Sequence, residues 1–207
     1  MPNPSIKDEE LYRKLKDEGN SSEKAARIAN AAAALGVPLR SFTTDAGVDV
    51  LSFGGTKNGM LLGEAIVVLD PEASSGLHYL RKTNMQLSSK MRFLSAQLLA
   101  MLGEDGETEP LWLRSARSAN AMATRLRSRL EEAVAAGRIE GLAFTQPTQA
   151  NAVFATLPAG VADRLREVSR FYDWNPATGE VRWVCSFDTT EDDIDVFTAA
   201  IERELSA

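Results

Sequence analysis

Apolar and polar positions change their spacing several times along the chain, and each change marks an element. In DEELYRKLKDE (residues 8–18) Leu11 and Leu15 lie four apart and Gly19 follows where a left-handed cap would sit, which predicts a short helix. NSSEKAARIANAAAALG (20–36) supplies Ser21 or Ser22 as N-cap, Ile28, Ala32 and Leu35 as a narrow apolar stripe, and Gly36 as terminator. The chain therefore opens with a helical hairpin. VPLRSFTTDAG (37–47) reads as a connector with one helical turn, because Pro38 disfavours helix at Val37 and Gly47 closes the piece. VDVLSF (48–53) and MLLGEAIVVL (60–69) are β-branched and apolar and read as buried strands of a hairpin, joined by GGTKNG.

Helical spacing then returns. Leu87, Met91, Leu94, Leu98 and Met101 step by four and three residues, which predicts one seam of a long helix over residues 77–102, facing a core or a subunit interface. Ala119, Ala123, Leu126, Leu130 and Val134 predict the inner face of a second long helix over 110–136. After Gly137 the runs shorten. GLAFT, AVFATL, RFYDW and VRWVCSF are strand candidates, with a helix near GVADRLREV and a last helix in TEDDIDVFTAAIEREL. Thr190 and Asp193 have capping-box spacing, and Ile194, Phe197, Ile201 and Leu205 form the stripe of that last helix. The expected organisation is a helical hairpin (1–36), a middle domain with long helices (37–136) and a small, mainly antiparallel α/β domain (137–207).

Composition narrows the function classes. The 207 residues are 44% hydrophobic and 25% charged, which suits one sizeable core or two small ones. A net charge of -6 argues against nucleic acid as a partner, since binding to a phosphate backbone draws on a cationic field. The first hairpin is locally neutral, with six Lys/Arg against six Asp/Glu in residues 1–35. One cysteine, Cys185, allows no internal disulfide, no apolar run reaches the roughly 20 residues of a membrane span, and the N-terminus lacks the order of a secretory signal. The expected setting is cytoplasmic, without a membrane and without a metal site. The single histidine, His78, reads as a surface or packing residue.

The candidate chemistry lies in SFGGTKNG (52–59). Gly54 and Gly55 precede Lys57 and Asn58-Gly59 follows it, so the lysine sits in a tight, sterically open turn between two apolar strands. That leaves room for a planar ligand close to the backbone, and burial there would favour a neutral, nucleophilic amine.

The segment ARIANAAAALGVPLRSFTTDAGVDVLSFGGTKNGMLLGEAIVVLDP resembles the middle of the low-specificity threonine aldolases. The resemblance continues through YLRKTNMQLSSKMRFLSAQLLAML, LWLRSARSANAMATRL and VRWVCSFDTTEDDID, and covers residues 26–207. It implies a partial fold-type I (aspartate aminotransferase-like) α/β architecture that uses pyridoxal 5'-phosphate (PLP). It also implies cleavage of a β-hydroxy amino acid such as threonine to glycine and an aldehyde, in a homo-oligomer. By the same resemblance Lys57 binds the cofactor covalently, Arg182 of VRWVCSF forks the substrate carboxylate, and Arg27 matches the arginine of the family's DGAR element. Thr56 either reaches the cofactor phosphate or stabilises the turn.

The matching part lacks the family's N-terminal half, which carries the ring-stacking histidine and most phosphate ligands. Lys24, in KAAR, stands where the family has the aspartate of DGAR, and a cation there opposes a protonated pyridine nitrogen. PSIKDEELYRKLKDEGNSSEKAARIANAAA is similar to short bacterial helical proteins related to the N-terminal region of Rho-type termination factors. The two resemblances share ARIANAAA, as a fusion of two sequences would. The expected function is therefore an impaired threonine aldolase-type lyase. The alternative is a non-catalytic remnant or interaction module whose helical N-terminus would contact nucleic acid or protein.

Overall fold

The computed structural model describes Gly36 and residues 38–103 and 109–206. The expected hairpin of residues 1–36, with Lys24 and Arg27, lies outside the described residues apart from Gly36. The chain forms two compact units, residues 1–114 and 115–207. This division falls upstream of the expected boundary at residue 136. The physical reason is that Ala123, Leu126, Leu130 and Ala133 of the second long helix are buried in one core with the C-terminal strands and helices.

In the first unit, two 3-10 turns at Leu39–Phe42 and Thr44–Ala46 replace the single expected turn, and left-handed Gly47 ends them. Strands β1 (Val50–Gly54) and β2 (Glu64–Val68) then pair antiparallel, with Leu51 opposite Val67 and Phe53 opposite Ala65. The hairpin is as expected, but its second strand is shorter, since Met60, Leu61 and Leu62 belong to the loop. One face of the ribbon is apolar, with Leu51, Phe53, Ala65 and Val67; the other carries Val50, Ile66 and Val68 beside Ser52 and Glu64. Phe53 packs edge-to-face on Trp112, with ring centroids 6.1 Å apart.

The expected continuous helix over 77–102 is broken. Helix α1 (Leu77–Thr83) and helix α2 (Met91–Leu102) are separated by residues 84–90. The break begins where the Asn84 side chain donates to the Leu80 carbonyl at 2.8 Å and Met85 takes a left-handed φ of 56°. An amide that satisfies a backbone carbonyl offers the chain an alternative to the next helical turn. Leu87 therefore leaves the seam, while Met91, Leu94 and Leu98 are half-buried on α2 and Met101 is buried. His78 is exposed on α1, its ring against that of Tyr79.

Helix α3 (Leu111–Ala135) has its first turn in the first unit and the rest in the second. The second unit continues with β3 (Ala143–Phe144), β4 (Ala152–Thr156), helix α4 (Val161–Arg166), β5 (Tyr172–Asn175), β6 (Glu180–Val184) and helix α5 (Glu191–Glu204). Its sheet is antiparallel with strand order β3-β4-β6-β5. Alternation sorts the faces. Val153, Ala155, Val181 and Trp183 point to the core, where they meet Leu126 and Leu130 of α3, Leu165 of α4, and Phe197 and Ile201 of α5. The rings of Trp183 and Phe197 meet edge-to-face at 5.4 Å.

Helix α5 starts as its sequence predicts. The Asp193 N–H donates to Thr190 Oγ1 at 3.2 Å, and the Thr190 N–H donates to Asp193 Oδ2 at 2.8 Å, so two otherwise orphaned donors are satisfied. The Thr190 hydroxyl, donating to Asp193 Oδ2 at 2.6 Å, and after it the Thr190 N–H hold the Asp193 carboxyl below the usual carboxylate range. Arginines of α3 reach α5: Arg125 to Glu191 at 3.1 Å and Arg129 to Asp195 at 3.0 Å. Such partly exposed pairs add little stability.

One position of the α3 stripe differs from expectation. Val134 is 41% exposed, whereas its neighbour Ala133 is fully buried. The buried series 119, 123, 126, 130, 133 keeps to 3.6 residues per turn, and a step of four to 134 overshoots the face. Leu130→Ala is accordingly expected to destabilise the second unit by about 2–5 kcal/mol. Val134→Ala should stay within about 0.5 kcal/mol. Urea unfolding followed by Trp183 fluorescence would compare them, and equal losses would contradict this packing.

Burial raises the Cys185 thiol to about 11 from its ordinary 9.0. Because the folded chain then keeps a proton that the unfolded chain gives up, stability is fully present below about pH 9 and falls between about pH 9 and 11. The loss is on the order of 3 kcal/mol. Cys185→Ala should flatten that part of the stability-versus-pH curve, and an unchanged slope would remove the thiol as its cause.

Candidate functional site

The turn between β1 and β2 is built from its own backbone. The Gly55 N–H donates to the Gly63 carbonyl at 2.9 Å, and the N–H groups of Asn58 and Met60 both donate to the Gly55 carbonyl. Asn58 Nδ2 donates to the Gly54 carbonyl at 2.7 Å. Thr56–Asn58 form a single 3-10 turn that ends on left-handed Gly59 (φ 104°). From the other side, Gln97 Oε1 of α2 accepts from the Leu61 N–H at 2.8 Å.

The reason for a glycine at position 55 differs from the expected one. A Cβ there would lie 2.2 Å from Met60 Sδ and 2.7 Å from the Gly63 carbonyl oxygen. The space beside Gly55 is thus filled by the buried Met60 side chain rather than held open for a planar ligand. Lys57 itself is exposed at the rim of the turn. Among the described residues no hydrogen bond or ion pair engages its amine, and nothing removes it from water. Thr56 Oγ1 accepts from the Gly63 N–H at 3.2 Å, a bond within the turn.

Arg182 occupies a different setting. It lies on β6, opposite Phe154 of β4 and Tyr172 of β5, on the sheet face that points away from the core. Its guanidinium carbon stands 4.8 Å above the Trp174 ring centre, and Trp174 meets Phe154 edge-on at 5.2 Å. A guanidinium held over an aromatic ring can still use its N–H donors on a planar anion. Elsewhere in this unit Arg125, Arg129, Arg138, Arg164 and Arg166 all reach carboxylates. Among the described residues none is paired with Arg182. Sequence reasoning missed the aromatic platform of Phe154, Tyr172 and Trp174. Its signal was present, because alternation along AVFAT and VRWV assigns Phe154 and Arg182 to the face opposite Val153 and Val181.

Lys57 and Thr56 thus share one turn of the first unit, Arg182 belongs to the second, and Arg27 lies outside the described residues. The anchor that PLP requires, an accessible primary amine on a fixed turn, is present at Lys57. Among the described residues this turn forms no phosphate cradle of its own: Thr56 Oγ1 accepts from the Gly63 N–H, and the turn's other bonds are internal. Among the described residues no group of three His, Cys, Asp or Glu could hold a metal ion, and no helix is long and apolar enough to cross a membrane.

These features define part of a fold-type I α/β architecture. The structure is similar to that of a threonine aldolase from Leishmania major, with a TM-score of 0.71 and 22% identity, over 86% of this chain and 50% of that one. Residues 24–158 match the Beta-eliminating lyase family, and the chain belongs to that family. Among curated proteins, it is 40% identical over 183 residues to a low specificity L-threonine aldolase of Pseudomonas sp. (strain NCIMB 10558), covering 88% of this chain and 49% of that protein. A low specificity L-threonine aldolase of Pseudomonas aeruginosa is 42% identical over 165 residues, covering 79% and 44% respectively. The chain spans about half the length of the curated relatives it matches. The family match supports PLP as the cofactor. Residues 1–40 match a family of unknown function (DUF7218), which overlaps the lyase match at residues 24–40 and assigns no activity to the front of the chain.

Proposed function

We propose that this chain carries the cofactor lysine and the carboxylate-binding arginine of a PLP-dependent lyase. Its substrates would be β-hydroxy amino acids such as threonine, with glycine and an aldehyde as products. The observation that supports this most is the presentation of Lys57, exposed and unpaired among the described residues, at the tip of the SFGGTKNG turn in a chain of this family. When bound, PLP supplies the electron sink for the pair released as the Cα–Cβ bond breaks.

The chain's own contributions are then two. Lys57 holds the cofactor. Arg182, stacked on Trp174, holds the substrate carboxylate and so orients the bond to be broken. Arg27 is a second candidate for that carboxylate. The described residues do not supply a phosphate cradle, so these 207 residues alone should be poor catalysts, and a homo-oligomer would be the working form. The buried, unpaired Cys185 suits a reducing, cytoplasmic setting. One observation favours a second reading, a non-catalytic interaction module: the first unit leaves much of its apolar surface open.

Treatment with PLP and then borohydride should place a covalent tag on Lys57, mapped by peptide mass, and Lys57→Ala should abolish it. Equal labelling of several lysines would overturn the assignment, because any accessible neutral amine forms imines. Threonine cleavage by the chain alone should remain near the background of free PLP. Glycine formation well above that background, lost in Lys57→Ala, would show that these residues complete a site unaided.

Arg182 separates binding from cofactor loading. In an assembly that turns over, Arg182→Lys should lower kcat/KM by the loss of charge-assisted hydrogen bonds, about 1.5–3 kcal/mol, with PLP loading unchanged. Full activity, or loss of PLP instead, would make Arg182 structural and direct attention to Arg27.

A further inference from the structure

Helices α3 and α5 of the second unit are joined by ion pairs that step in the same direction along both: Arg125 to Glu191 at 3.1 Å, then Arg129 to Asp195 at 3.0 Å, then Arg138, just past the end of α3, to Glu202 at 3.1 Å. The two helices therefore run parallel. Between them lies a groove of about 340 Å³, lined by Arg125, Ser128, Arg129 and Glu132 of α3 and by Thr198 and Glu202 of α5, with Arg138 at its far end. Two polar atoms in this wall lack the partner that burial normally demands. Thr198 is only 5% exposed, and its hydroxyl meets no hydrogen-bond partner among the described residues. The Arg125 Nε–H is buried and equally unpartnered, although Nη2 of the same guanidinium is paired.

The charges around these two donors narrow the class of ligand. Along α5, Thr198 falls between Asp195 and Glu202, so it lies across from the stretch of chain between Arg129 and Arg138, where Glu132 sits. Among the described residues no ion pair engages the Glu132 carboxylate, whereas all three arginines of the groove already face carboxylates. A bare anion would enter a groove whose cations are neutralised, and it would meet Glu132. A bare cation would leave the Arg125 Nε–H without an acceptor. A carboxylate and an ammonium held on one carbon satisfy both ends. We propose that the groove between α3 and α5 is a binding site for a small α-amino acid, its carboxylate accepting from the Thr198 hydroxyl and the Arg125 and Arg129 guanidinium groups, its ammonium donating to Glu132. The groove uses neither Lys57 nor Arg182, so it stands or falls apart from the proposed reaction.

The test is a titration of the full 207-residue chain, without PLP, with glycine, followed by the amide resonances of residues 128–132 and 198–202. These should shift saturably, with a Kd on the order of 1 mM or tighter. N-acetylglycine, which keeps only the carboxylate, and glycinamide, which keeps only the ammonium, should each bind about tenfold more weakly or worse, since each lacks one charge-assisted contact. Thr198→Val preserves the side chain's shape and removes the hydroxyl. It should weaken glycine binding about fivefold while leaving the thermal midpoint unchanged or raised, because a buried unpaired hydroxyl is lost. Glu132→Gln, at an exposed position, should weaken glycine by a similar factor and leave N-acetylglycine unaffected.

Absence of saturable shifts at these residues would overturn the proposal. So would N-acetylglycine binding as tightly as glycine, because the groove would then select an oxyanion, or glycine binding that both Thr198→Val and Glu132→Gln leave intact. Arg182→Lys should keep the glycine shifts at residues 198–202. Shifts that vanish in that variant would move the amino acid to the outer face of the sheet and remove it from the groove. A chain that binds glycine here and carries no PLP tag on Lys57 would count against the proposed reaction and leave the groove standing.

Discussion

Burial of Leu126, Leu130, Val153, Leu165, Val181 and Ile201 between three helices and one face of a four-stranded sheet is the interaction on which the second unit rests. Each such side chain contributes roughly 1.5–3 kcal/mol when fully removed from water. The same burial decides where function can sit. With the inner sheet face occupied, β6 can present Arg182 only on the outer face, and there Phe154, Tyr172 and Trp174 form its platform. The core thus acts on the candidate site at one remove, by fixing the pleat that aims the arginine.

The first unit shows what happens when the same constraint is met only in part. Its turn around Lys57 is locally complete, because backbone bonds, the Thr56 hydroxyl and the Met60 side chain close it without outside help. Its ribbon is less complete among the described residues, since Val50 and Ile66 on one face remain exposed. A local device can be whole inside an unfinished sheet, because turn geometry depends on near neighbours while strand burial depends on distant ones. The lysine is therefore presented on a fixed turn, while the groups that would surround a bound cofactor are not among those that fix it.

This separation also explains why family membership and catalysis stand at different distances from the structure. The SFGGTKNG turn is short, contiguous and closed by its own near neighbours, and such a segment keeps its shape in a partial fold. A phosphate cradle or a ring-stacking group draws on residues far apart in sequence. Half of a fold can retain the first kind of feature and lack the second.

Much of the second unit was legible in the sequence. The capping box at Thr190 and Asp193, the Ile194–Leu205 stripe, the extent of the helix over 111–135 and the antiparallel strands all follow from spacings of a few residues, and local chemistry is sufficient to set them. The hairpin around Lys57 was legible for the same reason. Spacing could not show that the helix over 77–102 stops at Asn84, where a side-chain bond competes with the next turn, or that Ala133 rather than Val134 completes the inner face. Nor could it show that Gly55 accommodates Met60 and that Trp174 underlies Arg182. Each of these depends on which atoms meet across loops and strands. Only tertiary packing decides those meetings, because the free energy of a contact depends on what water it excludes, and a linear pattern does not record that.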